Sequence, residues 1–139
     1  MERQPIGYML KQITDKIKVS ADASLKIKGL TLSQVRVLEY VSEKGGTVTQ
    51  KSIEEYLDVA HPTVVGIVSR MEKNGYLVTY PDSADKRNKI VELTGKAAEM
   101  AQEVRGDIAA QEEKLLIGLT EEETEILRKL LRIISQNVE

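Results

Sequence analysis

Several residue types that carry chemistry are missing from this sequence. Its 139 residues include no cysteine and a single histidine, His61. The lack of cysteine excludes disulfides, thiolate catalysis and cysteine-rich zinc sites, and one histidine leaves any metal ion to carboxylates. We therefore expect no metal and no cofactor. Any regulatory signal should act by non-covalent binding, because a thiol switch is excluded.

Bulky aromatic residues and long apolar runs are scarce as well. Phe and Trp are absent, and all five aromatic residues are Tyr. The core must therefore be built from aliphatic residues. Charges interrupt every apolar run long before the roughly 20 residues that a membrane span needs. Residues 1–5 lack the basic and apolar segments of a secretory signal. These features predict one compact domain in the cytoplasm, with no membrane partner.

Charge is distributed unevenly along the chain. The formal net charge is −2, but residues 97–139 hold ten acidic and five basic residues, whereas residues 60–96 hold six basic and four acidic ones. Salt screens exposed charges beyond about 10 Å, so a polyanion responds to the local patch that it meets. The net charge therefore does not exclude a nucleic-acid partner.

Apolar residues recur at helical spacing through the first half of the chain. We expect a long first helix up to Gly29 and a second one from Thr31 to the Gly45-Gly46 pair. Thr49 can cap a short third helix. Pro62 is tolerated only in a first helical turn, so a fourth helix begins there. The apolar stripes of the first and fourth helices are Ile6, Leu10, Ile13, Ile17 and Ala21, and Val64, Ile67, Val68 and Met71.

The period changes after Asn74-Gly75, a pair that favours a left-handed helix end. The runs Leu77–Tyr80 and Lys89–Leu93 are rich in β-branched and aromatic residues and flank the polar loop Pro81–Asn88, which predicts a β-hairpin. Two more helices follow, the first starting at Thr94 and the second behind a capping box. The residues expected to face inward on the first of these are Ala97, Ala98, Ala101, Val104, Ile108, Leu115 and Leu116.

A short helix, a turn, a second helix and a basic hairpin form the order of a winged helix-turn-helix, whose second helix enters a DNA major groove. Asp85 is placed to orient Arg87 at the hairpin tip, and a narrow minor groove attracts an oriented arginine. Taken alone, the tip is equally compatible with a solvated turn. Gly66 costs about 1 kcal/mol relative to alanine in a helix, which indicates either the close approach of another molecule or crowding against another helix. The candidate DNA-binding residues are His61, Pro62, Thr63, Val65, Gly66, Ser69, Arg70 and Lys73 on the helix, and Asp85, Lys86, Arg87 and Lys89 at the tip.

The stretch from Leu30 to Leu93 resembles the multiple-antibiotic-resistance regulator (MarR) family of prokaryotic winged-helix transcription factors. The resemblance implies that Thr63 and Arg70 read or position double-stranded DNA, and that Asp85 with Arg87 forms the contact of the wing tip. The matching segments are Leu30-Thr31 with Gln34 and Val37-Leu38, Val48-Thr49-Gln50 with Ile53, His61–Val64, Arg70–Leu77, and Asp85–Arg87 with Lys89 and Leu93-Thr94.

The expected fold is therefore mainly α with a small β-hairpin wing, a winged helix-turn-helix with N- and C-terminal dimerisation helices. One MarR-type domain would span residues 1–139, with dimerisation helices at 1–30 and 96–139 around a DNA-binding lobe at 31–95. The resemblance implies a homodimeric repressor that binds a pseudo-palindromic operator and is released by a small aromatic or phenolic effector. Candidate residues for the effector pocket are Tyr8, Tyr40 and Tyr56.

Other functions stay open on the sequence alone. The acidic runs Glu112-Glu113 and Glu121–Glu123 could be taken for catalytic carboxylates, but acids favour helix starts and polar faces. His61 has no nucleophile or orienting carboxylate beside it, so we do not expect an enzyme. The remaining alternatives are a winged helix that binds protein and a DNA-binding regulator without a ligand. The basic hairpin tip argues against a module that binds only protein.

Overall fold

The computed structural model describes residues 3–138, so positions 1, 2 and 139 of the predicted domain lie outside the described residues. This part of the chain forms six helices and three strands, and none of these helices is long and apolar enough to cross a membrane. The predicted class, mainly α with a small β wing, is confirmed. The elements are α1 (Ile6–Lys28), α2 (Leu32–Glu43), β1 (Thr47–Thr49), α3 (Gln50–Leu57), α4 (His61–Lys73), β2 (Leu77–Pro81), β3 (Lys89–Leu93), α5 (Gly95–Leu115) and α6 (Glu121–Asn137).

Local sequence sets the ends of the first helices. Gly29 ends α1 in the left-handed conformation, with φ 71°. Thr31 and Gln34 form a capping box at the start of α2. The Thr49 hydroxyl accepts a hydrogen bond of 3.1 Å from the Ser52 N–H at the start of α3. The predicted boundaries at these positions are confirmed.

The last two helices also begin where the sequence predicts. The Thr94 hydroxyl accepts a hydrogen bond of 3.2 Å from the third N–H beyond it, at the start of α5. Thr120 and Glu123 form the capping box of α6. The helix α5 ends at Leu115, and a turn over residues 116–118 leads to Gly118, whose φ is 91°. The helix therefore ends before the predicted residue Gly118, which is the last residue of the turn that follows it.

The wing is larger than the predicted hairpin. β2 and β3 pair antiparallel with Tyr80 opposite Ile90, as expected. β1 pairs with the other edge of β3, with Val48 opposite Val91, which gives the sheet order β1-β3-β2. From the sequence, Thr49 is expected only as a helix cap, and β1 is an element that was not predicted. The signal was present, because Thr47–Thr49 consists entirely of β-branched residues.

The chain divides into two compact units, Met1–Ala101 and Gln102–Glu139. In the first unit, α2, α3, α4 and the sheet enclose an aliphatic core. The predicted buried stripe of α4 is confirmed, since all four of its residues are buried. The core fixes α3 and α4 in place and leaves the opposite face of α4 free. The largest fully buried side chains are Leu38, Ile53, Met71, Leu77, Val37, Val41, Val64, Val68 and Val91.

Other helices keep their apolar residues at the surface. Within the described chain, neither α1 nor α6 has a buried residue. On α5 the inward prediction is wrong for Ala98, Ile108 and Leu115, which are exposed, and Leu116 is half-buried. The reason is that part of this apolar surface is not covered within one chain. The α5 residues that are buried as expected are Ala97, Ala101 and Val104.

Candidate nucleic-acid interface

The helix α4 presents a continuous free face opposite its buried stripe. The eight predicted residues of this helix all lie outside the core, with Gly66 half-buried and the others exposed. We call this set the α4 face. It combines small, polar and basic side chains, which suits close contact with a polyanion. Its members are His61, Pro62, Thr63, Val65, Gly66, Ser69, Arg70 and Lys73.

Space is available in front of Gly66. Apart from its two chain neighbours and the adjacent backbone of α4, the nearest atom in residues 3–138 to a Cβ built at this glycine is Nη2 of Arg70, at 3.9 Å. This distance is an ordinary van der Waals contact with the flexible end of a side chain. The interpretation that Gly66 relieves crowding against another helix is therefore wrong, and the position is open to a partner.

One side-chain pair ties the start of α4 to α3. The N-cap residue is Ala60, whose methyl group cannot accept a hydrogen bond from the first turn. His61 Nδ1 is hydrogen-bonded to the Glu54 carboxylate, while 67% of the imidazole stays exposed. The expectation that no carboxylate lies beside His61 is therefore wrong. Glu54 lies seven residues earlier and comes close only through the turn between the two helices.

The wing tip, residues 82–88, is organised around Asp85. Its Oδ1 accepts hydrogen bonds of 3.1 Å from both the backbone N–H and Nε of Arg87, and its Oδ2 accepts one of 3.2 Å from Nη2. These bonds stabilise the charged carboxylate, so the pKa of Asp85 lies below its ordinary value. The guanidinium is thus oriented as expected, although 91% of the Arg87 side chain is exposed.

An aromatic residue accompanies the cations of the wing. Lys86, Arg87 and Lys89 line an open depression of about 310 Å³ together with Tyr80, which is 44% exposed. From the sequence, Tyr80 is expected only as a strand residue. Its position in a strand that leads into three cations is the signal that could have identified it. The other lining residues are Thr79, Pro81 and Asn88.

The C-terminal end of α4 is fastened to the wing and to the start of α5. Thr79 of β2 donates a hydrogen bond to the Glu72 carboxylate, 3.0 Å from each oxygen. Thr94 Oγ1 donates to the carbonyl oxygen of Gly75 at 2.6 Å, and Lys96 Nζ donates to a neighbouring carbonyl at 2.7 Å. Gly75 has φ 83°, as the left-handed helix end predicts. These hydrogen bonds therefore fix the end of α4 relative to the wing and to the start of α5.

The tyrosines of the lobe contact each other. The rings of Tyr40 in α2 and Tyr56 in α3 stack with their centroids 4.4 Å apart. The guanidinium of Arg36 lies 5.5 Å from the Tyr56 centroid, and Lys44 Nζ lies 5.9 Å from that of Tyr40. The stack joins α3 to α2. Because Tyr56 is 46% exposed, it is not a core residue.

Sequence comparison identifies relatives of this chain. A sequence model of the MarR family matches residues 28–88. YwoH, an uncharacterized HTH-type transcriptional regulator of Bacillus subtilis (strain 168), is 35% identical over 129 residues, which cover 93% of each chain. The chain belongs to the MarR family. MarR-family members are transcriptional regulators, so this protein is a DNA-binding transcription regulator and not an enzyme.

Solved structures share the MarR-family fold. A mutant of MepR from Staphylococcus aureus has a TM-score of 0.87 and 25% identity, covering 98% of this chain and 100% of that one. The complex of S. aureus MepR with DNA has a TM-score of 0.77 and 23% identity, with 99% and 100% covered. A mutant of MarR from E. coli has a TM-score of 0.77 and 21% identity, with 96% and 98% covered. The winged-helix fold is thereby confirmed.

In this MarR-family protein the predicted site residues form two groups in one compact unit, the α4 face and the wing tip. The sequence reasoning missed the side chains that position them. Glu54 contacts the start of α4, and Glu72 joins its end to the wing. Within residues 3–138, no three His, Asp or Glu side chains come together in a way that could hold a metal ion.

Proposed function

We propose that this protein is a homodimeric repressor that binds a pseudo-palindromic operator in double-stranded DNA and is released by a small ligand. One observation carries the proposal: the exposed α4 face and a wing tip with an oriented arginine occur in the same compact unit. The fold shared with a MepR–DNA complex supports it. Two copies would contact half-sites about one helical turn, or roughly 34 Å, apart.

The α4 face is proposed to enter the major groove. Thr63, Val65 and Gly66 are small enough to let the helix approach the base edges closely. Arg70 and Lys73 lie in its last turn, where the helix dipole stabilises cations. They would neutralise phosphates of the DNA backbone. The remaining members of the face, His61, Pro62 and Ser69, would contact DNA near these positions.

The wing tip is proposed to reach the neighbouring minor groove. Arg87 is exposed yet held by Asp85, so little conformational entropy is lost when it enters a narrow groove. Lys86 and Lys89 would contact the flanking phosphates. In this arrangement Asp85 positions the arginine and does not itself contact DNA.

DNA retardation with the region upstream of the protein's own gene tests this interface. Binding should weaken steeply with salt, and Arg70→Ala or Lys73→Ala should each lower the slope of log affinity against log salt by about 1. Lys114→Ala removes an exposed cation outside the proposed interface and should leave the slope unchanged. If the affinity barely changes between low and moderate salt, the interface is wrong. If the protein binds no DNA, the alternative of a protein-binding winged helix is favoured.

The dimer is proposed to form through residues 1–30 and 96–139, with residues 31–95 as the DNA-binding lobe. Exposed aliphatic side chains on α6 and α1 support this division, since a monomer rarely exposes large contiguous apolar patches. Sedimentation analysis should give a dimer at micromolar concentration, and a monomer would contradict the proposal. We also propose that the protein acts in the cytoplasm, because chromosomal DNA is its proposed partner.

The effector is proposed to be a small aromatic or phenolic compound. An open depression of about 390 Å³ at the junction of α1 and α2 is within the size range of ligand sites. Lys26 offers a cation to an acid group, and Leu25 and Leu30 offer apolar contacts. The remaining lining residues are Asp22, Gly29, Thr31 and Leu32.

Such a ligand can release DNA only through its different affinity for the two states of the dimer. A coupling of about 1 to 3 kcal/mol would weaken DNA binding roughly 5- to 150-fold. Calorimetry with aromatic acids, with and without operator DNA, should show that the ligand lowers the affinity of the protein for DNA and that DNA lowers its affinity for the ligand. A compound that binds free and DNA-bound protein equally well is not the inducer. Failure of every acid tested favours the alternative of a regulator without a ligand.

A further inference from the structure

His61 lies at the start of α4, and Glu54 of α3 orients its imidazole ring. It is the first residue of α4, and the N-terminal residues of a recognition helix contact bases in the major groove. Its Nδ1 is hydrogen-bonded to the carboxylate of Glu54 in α3. The Glu54 side chain is 21% exposed, whereas that of His61 is 67% exposed. A half-buried carboxylate thus holds a ring that remains largely accessible.

The carboxylate also decides which ring nitrogen carries the proton. An ionised carboxylate accepts hydrogen bonds and donates none, so Nδ1 must carry a hydrogen in this pair. In the neutral imidazole, Nε2 is then left with an unshared electron pair. Within residues 3–138, Nε2 has no hydrogen-bond partner. It is therefore an available acceptor at the start of the α4 face.

We infer that Glu54 holds the neutral imidazole of His61 in the tautomer whose Nε2 accepts a hydrogen bond. This Nε2 would accept it from an exocyclic amino group of a base in the major groove. The amino groups exposed there are N4 of cytosine and N6 of adenine, whereas guanine offers the acceptors N7 and O6, and thymine offers O4 and a methyl group. A phosphate likewise offers no hydrogen to Nε2. Every base pair carries one such amino group, on one of its two strands. At one position of each half-site His61 thus favours one orientation of a base pair over the reverse, with cytosine preferred over guanine or adenine over thymine on the same strand. Glu54 is its positioning residue. The inference rests on the proposed function, in which the α4 face enters the major groove.

The tautomer can be observed without DNA. His61 is the only histidine of the chain, so its ring signals need no separate assignment. Nitrogen–proton correlation spectra at about pH 8.5, where imidazoles are generally neutral, should show the proton on Nδ1. Glu54→Ala should lose this preference. Glu55→Ala removes the neighbouring exposed carboxylate and should retain it. A proton on Nε2 in the wild type overturns the inference, even if Glu54→Ala does not fold, and so does an unchanged tautomer in that variant.

Selection from duplexes of random sequence, at the same pH, tests the reading of bases. Wild type and Glu55→Ala should enrich a base pair in one orientation, with cytosine or adenine on the same strand, at one position of each half-site. Glu54→Ala should lose about three- to tenfold of that preference, the size expected of one hydrogen bond, and keep the rest of the motif. An unchanged motif in Glu54→Ala overturns the inference and leaves the proposed function intact. Failure of the wild type to enrich any sequence overturns the proposed function, and the inference with it.

Discussion

The winged-helix lobe and the helix α6 use their apolar residues in different ways. In the lobe, Leu38, Ile53 and Met71 are at most 1% exposed. In the described part of α6 no residue is buried, and Ile126 and Leu130 are each about half exposed. The same aliphatic residue types thus form a closed core in one region and an open stripe in the other. The lobe can be stabilised within one chain, whereas α6 needs a second surface to bury its stripe.

Exposed ion pairs occur in both regions and differ in their geometry. In the lobe, Asp85 holds Arg87 with paired hydrogen bonds. In the second unit, Arg128 approaches Glu112 at 4.0 Å and Glu125 at 3.8 Å, and all three side chains are substantially exposed. Exposed ion pairs contribute roughly 0 to 1 kcal/mol, so they do little to fix α6. The apolar stripe is therefore the part of α6 that has most stabilisation to gain from burial.

Removing a core side chain of the lobe should have the largest effect. Ile53 is 0% exposed, and Ile53→Ala should lower the free energy of unfolding by about 2 to 5 kcal/mol through lost burial and a cavity. Ile27→Ala removes the same atoms at a position that is 89% exposed and should change it by less than about 0.5 kcal/mol. Urea denaturation measures both variants. Equal losses would contradict a closed core in the lobe.

A charge on the stripe of α6 should break the dimer and leave the lobe folded. Leu130→Asp places a carboxylate where the proposed interface is apolar, and we expect it to weaken association by about 2 to 4 kcal/mol. Gln136→Asp adds the same charge at a polar position of the same helix and should associate like the wild type. Sedimentation velocity over a range of concentrations distinguishes them. An intact Leu130→Asp dimer would mean that another surface forms the interface.

A change at the wing tip should affect DNA binding and not folding. Arg87→Ala should weaken specific binding by about 1 to 3 kcal/mol. Its side chain is 91% exposed, so urea denaturation should show unchanged stability. Arg105→Ala, at an exposed position of α5, is the control and should leave the affinity unchanged. If Arg87→Ala binds DNA like the wild type, the minor-groove contact belongs to Lys86 or Lys89.

The parts of the fold that depend on neighbouring residues could be predicted from the sequence. Caps act within three or four residues, so Thr31 and Thr120 indicated their helix starts directly. Glycines that adopt positive φ, such as Gly29 and Gly75, indicated helix ends in the same way. The Asp85–Arg87 pair was also predictable, because its members lie two residues apart.

The parts that were missed depend on the folded chain. Tyr40 and Tyr56 come from different helices, and their stacking depends on how α2 and α3 pack. The strand β1 is only three residues long and forms because β3 offers a free edge. On α5, helical spacing alone could not separate buried Ala101 from exposed Ala98, because spacing does not show where a covering surface ends.

A smaller effect should separate helix stability from DNA contact within the lobe. Gly66→Ala should stabilise α4 by about 0.5 to 1 kcal/mol, since alanine loses less backbone entropy on folding than glycine. The same methyl group should weaken DNA binding if the helix approaches the groove there. Gly106→Ala, in α5, meets nothing within 4 Å in residues 3–138 and should give the stability gain without the loss of affinity. Equal DNA affinity of the two variants would show that Gly66 serves no close approach.

The smallest effect concerns the pH dependence of the wing tip. Hydrogen bonds from Arg87 lower the pKa of Asp85 below its ordinary value of 3.8. A carboxyl whose pKa is depressed in the folded state contributes stability above its unfolded pKa, and this contribution is lost as the pH falls through the folded pKa. The orientation of Arg87 should therefore be constant from neutral pH down to about pH 4 and be lost only in more acidic solution. An NMR titration of the Asp85 carboxyl should show a higher pKa in Arg87→Ala and the wild-type pKa in Lys86→Ala. Since the carboxyl is exposed, the effect on the free energy of unfolding should be small. A pKa of Asp85 that is raised equally in both variants would mean that nearby positive charge, and not the paired hydrogen bonds, sets this pKa.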